Sequence, residues 1–238
     1  MGRHTDFIRR NIEVVLEEAK SASSNIIIGI ETYPLIGYLL QSVFIQMTGF
    51  QEQKFKCIAW EMANENFDFR FKFLKSMSST GFSDIDSKTQ LFSELKKIAE
   101  IKEIDEHTKQ KLIDSAQTSL VNILNDSILI NDNQRQFNLF LENMENDFTT
   151  KDICINNNLF KQNSKIATIY SKLYKQRNRI AHNSISYQHN LPTLKELEKE
   201  LIYDRNYFSW FFCLILIDKI MIYLYEQFLE KQENEPYI

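Results

Sequence analysis

The stretch FSWFFCLILI, Phe208 to Ile217, decides what kind of fold the chain can adopt. A membrane-spanning helix needs about 20 apolar residues. This run reaches roughly half of that before Asp218 and Lys219 interrupt it. The reading is a buried helix from about Asp204 to Leu229, apolar around most of its circumference, at the centre of a bundle or across a subunit interface.

Working outward, the rest of the chain reads as helices able to surround it. A first helix is predicted over Asp6 to Lys20, with Ile8, Ile12, Val15, Leu16 and Ala19 as its apolar stripe. Pro34 opens a second, PLIGYLLQSVFIQM, which Gly49 ends. A long third helix follows to about Met77, with Phe55, Ile58, Ala59, Met62, Phe69, Phe73 and Met77 at helical spacing. Its FDFRFKF segment also alternates at period two, so a short strand from Phe67 to Phe73 is the alternative. SSTGFSDIDS, 78–87, reads as a loop and marks a possible internal boundary within a single domain spanning 1–238. Further helices are expected from about Lys88 to Ile101, from Glu106 to Ile128 with Asp105 as cap, and from Gln134 to Asn146. Another runs from Asn163 to Ala181, and Thr193 with Glu196 forms a capping box for LKELEKELI.

Composition agrees with an all-α fold: only 5 Gly and 3 Pro leave few tight turns among these long repeats. Hydrophobic residues make up 43% and charged residues 25%, the balance of a globular chain. The 18 Phe and 10 Tyr recur inside periodic segments, as core or intersubunit rings do. Cys57, Cys154 and Cys213 are widely spaced and odd in number, which disfavours a disulfide scaffold or cysteine zinc site and suits a cytoplasmic protein. The formal charge of -4 excludes a uniformly basic nucleic-acid binder, though not a local basic patch. The first twenty residues carry acids where a signal peptide has its apolar core, and Asp6 stands where a myristoylation signal carries Ser or Thr, so no membrane role is expected.

One cluster carries chemistry. YSKLYKQRNRIAHNSISYQHN, 170–190, holds Lys172, Lys175, Arg177 and Arg179 ahead of His182 and contains no acid. Ile166, Ile169, Tyr170, Leu173 and Ile180 would face the core, leaving most of the basic side chains near solvent. Asn178 and His182 are four apart on a helix, so the amide would bond the ring and fix its tautomer. Arg177 lies five residues before His182, roughly 7.5 Å lower along the axis, within reach of the same exposed pocket through its long side chain. A neutral imidazole and a charged guanidinium suit attack by an RNA 2′-hydroxyl on the adjacent phosphate, with no metal or cofactor. Lys172, Lys175, Arg179, Tyr174 and His189 are candidate RNA contacts. The bland alternative is a basic helix end favoured by the helix dipole and closed by an ordinary histidine.

Arg177-Asn178-Arg179-Ile180-Ala181-His182 resembles the R-x4-H motif of the HEPN superfamily, in the RN-xx-AH form found in prokaryotic toxin and antiviral defence proteins. The resemblance implies a HEPN-like helical bundle, here with additional N-terminal helices, that dimerises with its motifs face to face. It implies Arg177 and His182 as the catalytic pair of a metal-independent endoribonuclease, Asn178 in support, and a possible regulatory or antitoxin protein as partner. Other family members are noncatalytic, so a module binding RNA, nucleotide or protein is the competing expectation. One branch modifies a tyrosine two residues after the histidine; Ser184 stands there, with Tyr187 further on.

Remaining candidates read as ordinary surface. Glu103 and His107 share a helical face without a third metal ligand, and His4 is expected to be terminal and mobile. Glu52, Glu61, Glu65 and Asp68 are spread around their helix as solvated acids, without a metal-nuclease pattern.

Overall fold

The computed structural model describes residues 3–26, 29, 33–73, 75, 81–131, 133–182 and 206–234; for Tyr33 and His182 it describes the backbone alone. The fold is all-α, with ten helices and a two-stranded hairpin among the described residues. In chain order the helices are α1 (Thr5–Arg9), α2 (Val14–Ser23), α3 (Tyr33–Glu65), α4 (Phe67–Lys72) and α5 (Ile85–Ile98). Then come α6 (Glu106–Leu124), α7 (Ile128–Asn131), α8 (Gln134–Asp147), a 3-10 turn at Thr150–Asp152, strands β1 (Ile153–Ile155) and β2 (Asn158–Phe160), α9 (Lys165–His182) and α10 (Tyr207–Asn234).

The apolar run that opened the sequence lies in α10, buried from Phe208 to Ile217 and packed against α3, α5, α6, α8 and α9. By length and composition α10 could cross a membrane, with mean hydropathy 1.7, but 78% of that window is covered by the other helices. Its entry is fixed by buried Asn206, whose Oδ1 accepts from Phe208 N at 2.9 Å while its Nδ2 donates to Gln136 O. Elsewhere helical spacing translates into burial as expected. Asp105 caps α6 by accepting from Thr108 N at 2.9 Å, and Asp84 caps α5 through Ser87 N at 2.8 Å.

Several boundaries differ from expectation, each for a local reason. The predicted first helix is two, α1 and α2, because the turn between them is held from outside. Lys54 Nζ donates to Arg10 O at 2.6 Å, and Asp218 Oδ2 accepts from Ile12 N at 3.1 Å. Lys54 and Asp218 themselves meet at 2.7 Å with side chains 0% and 1% exposed. A buried ion pair thus supplies the partners that the interrupted helix lacks.

Gly49 does not end a helix; α3 continues through it, since one glycine costs only about 1 kcal/mol against flanking turns that bury Phe44, Met47, Phe55 and Ile58. The break falls at Asn66, whose Oδ1 accepts from Phe69 N at 2.8 Å and starts α4. Arg70 folds back there, donating to Ala63 O and Asn64 O at the end of α3. FDFRFKF is therefore helix, and the strand alternative falls. A strand would put all four rings on one face, whereas here Phe69 and Phe73 stack inward at 5.9 Å and Phe67 and Phe71 stay exposed.

The helix predicted to Ile128 stops at Leu124, and α7 forms separately. The hairpin was unexpected: ICINNNLF pairs Ile153 with Phe160 and Ile155 with Asn158, and Asn156 supplies the left-handed turn position at φ 53°. Cys57, Cys154 and Cys213 are free thiols. LKELEKELI, with Thr193 and Glu196, and Met77, Ser184, Tyr187 and His189 lie outside the described residues.

Candidate functional site at the end of α9

Helix α9 starts where Ser164 Oγ accepts from Ala167 N at 3.3 Å, and buries Ile166, Ile169, Tyr170 and Leu173, the face read from the sequence. Ile180 is only partly covered. Tyr170 is a core residue whose hydroxyl donates to Ser83 O at 2.7 Å, tying α9 to the start of α5. Lys175 is exposed, and Lys172, Tyr174 and Arg179 are half-buried.

Arg177 is less free than expected. It lies two turns after Tyr170 on the same face. There its Nη2 donates to Glu52 Oε1 of α3 at 2.8 Å, with side-chain exposures of 23% and 13%. Its Nη1 donates to Asn178 Oδ1 at 3.2 Å, so this amide oxygen supports the arginine. The expected Asn178 bond to the His182 ring concerns a side chain outside the description. The backbone places His182 in the last position of α9, five residues and roughly 7.5 Å beyond Arg177. Two of the five guanidinium N–H donors are engaged by Glu52 and Asn178, fixing the plane of the fork.

Glu52 is the residue that sequence reading missed, taken there for a solvated acid. Glu61 differs as well: it is buried and its Oε1 accepts from His4 N at 2.9 Å, which also ties His4 down. His107 is exposed. No three His, Cys, Asp or Glu side chains among the described residues converge as metal ligands. A cavity of about 920 Å³, lined by Phe69, Phe71, Ile98, Phe228 and Lys231 among others, contains none of the motif residues.

Below the Glu52–Arg177 pair lies a buried amine. Lys88 Nζ donates to Gln51 Oε1 at 2.7 Å, and Gln51 Nε2 donates to Leu214 O of α10 at 2.8 Å. The ammonium sits over the Phe55 ring at 4.6 Å and the Tyr170 ring at 5.9 Å. Burial holds its pKa down to about 7, against a counter-pull led by Glu52. The signal was in the sequence: Lys88 shares the stripe of Leu91, Phe92 and Leu95 on α5.

This shift makes a stability prediction. Unfolded, Lys88 keeps its proton up to about 10.5; folded, it releases it near 7. Between those values the unfolded chain binds the extra proton, so the Lys88 contribution to stability rises with pH and is least favourable below about 7. Wild type is therefore expected to gain about 3 kcal/mol relative to Lys88→Met between about pH 6 and about pH 9. Urea unfolding of both proteins at the two pH values measures it; a constant difference would refute the shift.

The chain matches no known protein family, and neither a curated protein nor a solved structure is similar to it.

Proposed function

We propose that the chain is a metal-independent endoribonuclease of HEPN type, cleaving single-stranded or looped RNA in a cytoplasmic toxin or phage-defence role. The observation that carries the reading is the anchored Arg177 near the end of α9, with His182 closing the same helix five residues on. Neutral His182 would accept the proton of the 2′-hydroxyl as its oxygen bonds to phosphorus. Arg177 would stabilise the charge building on the phosphate oxygens. The P–O5′ bond breaks, and the departing oxygen takes a proton from an imidazolium, supplied by the second motif of a homodimer. The products carry a 2′,3′-cyclic phosphate and a 5′-hydroxyl; DNA, without the nucleophile, is left intact. Lys172, Lys175, Arg179, Tyr174 and His189 would line the path of the strand, and a regulatory or antitoxin protein would restrain the activity.

A second reading has one specific observation in its favour. The ion pair with Glu52 engages Arg177 in packing between α3 and α9, as a noncatalytic module binding RNA, nucleotide or protein would use it. Incubating the protein with structured and unstructured RNA in EDTA, followed by end-group analysis, separates the two. Cyclic-phosphate ends in chelator are the expected result. Binding without cleavage on every RNA would favour the module, and cleavage abolished by EDTA would replace both with metal chemistry.

A further inference from the structure

Lys88 has no part in the reaction proposed above, yet it sits where α3, α5, α9 and α10 meet. Its amine donates to Gln51 and faces the ring of Tyr170. The residue after Gln51 is Glu52, which holds Arg177, and two turns before Arg177 on the same face is Tyr170. One ammonium therefore contacts both sides of the seam that orients the motif arginine. We propose that Lys88, bonded to Gln51 beside Glu52 on α3 and facing Tyr170 on α9, is a positioning residue whose charge governs how the seam holds Arg177.

The geometry leaves few ways to absorb a change of charge there. Gln51 is fully buried and locked at its other end to Leu214 O, so it cannot follow the amine. The two ring contacts attract a cation and not a neutral amine. The titratable groups acting on Lys88 are Glu52 from α3, Asp84 from the cap of α5, and Cys213 and Asp218 from α10, with the Tyr170 ring of α9 facing the amine; of the opposing charges Glu52 acts most strongly. Burial raises the thiol of Cys213 and the phenol of Tyr170, so both stay protonated near neutrality. Proton loss from Lys88 leaves the Glu52 charge to Arg177 and tightens that pair. Proton gain draws on the same carboxylate and loosens the guanidinium for an incoming anion.

The coupling is independent of the ribonuclease reading; its importance for catalysis rests on it. The test follows the Arg177 Nε–H resonance by NMR in the full chain from about pH 6 to about pH 9. Wild type should show a step with its midpoint near 7, retained in His182→Gln and lost in Lys88→Met. Lys88→Gln serves as a second variant, and the Lys88 side-chain carbon signal in wild type should titrate with the same midpoint. A flat Arg177 signal, or a step that survives in the Lys88 variants and vanishes in His182→Gln, overturns the proposal. A Lys88-dependent step in a protein that cleaves no RNA upholds the coupling while removing the ribonuclease reading.

Discussion

Asp218→Ala is expected to destabilise the fold by about 3–5 kcal/mol, because it strands Lys54 as an unpaired cation in the core. The pair lies at the crossing of α3 and α10, and the Lys54 side chain is 0% exposed. Burial pushes Asp218 up and Lys54 down, each opposed by the attraction of its partner, so removing one partner leaves the desolvation of the other uncompensated. The damage extends past the pair. Asp218 also accepts from Ile12 N, so the turn between α1 and α2 loses that outside partner, while Lys54 remains to donate to Arg10 O. This distinguishes the site from a buried ion pair that apolar residues could replace at no cost. Lys54→Met combined with Asp218→Leu should recover part of the loss and remain about 1–3 kcal/mol less stable than wild type, because backbone groups of the turn are left unbonded. Urea unfolding of the single and double variants tests this, with amide exchange over 10–13 reporting the turn. Full recovery in the double variant would show that the capping role is wrong.

Which parts of this fold were legible depends on how far apart the deciding residues lie. Periodicity reports which face of a helix is apolar, so α9 and α10 could be read from Ile166, Ile169, Tyr170 and Leu173 and from the run at Phe208–Ile217. Caps are equally local, as Asp105 and Thr108 show three residues apart. The split between α1 and α2 was not legible, because Asp218 stands 206 positions beyond the amide it receives. The same holds at the candidate site. Arg177 and His182 stood out in one short string, but Glu52 is 125 positions from the arginine it holds, and an acid on a helix gives no sign of its partner. Lys54 and Lys88 did leave a trace. Each interrupts an apolar stripe, where a long cation must find a partner inside the core.

Arg177→Ala and His182→Ala should each lower RNA cleavage by about 10²–10⁴-fold if the two residues act on one phosphate. Their effects on stability should differ, and that difference gives the comparison its force. Truncating Arg177 leaves Glu52 half-buried without its cation, which predicts a measurable loss of stability. His182→Ala leaves the Glu52–Arg177 pair intact, so a smaller loss is expected there. Arg177→Lys keeps the charge but not the planar fork, so it should stay well below wild type in activity while recovering much of the stability. Glu52→Gln retains a hydrogen-bond acceptor and should reduce cleavage less than either motif variant, since it alters only how the guanidinium is held. Single-turnover cleavage and thermal unfolding, measured together on all four proteins, decide the matter. Activity lost in His182→Ala at unchanged stability supports a catalytic imidazole. Activity that falls only in step with stability, from Arg177→Ala to Glu52→Gln, would make the Glu52–Arg177 pair an architectural tie between α3 and α9.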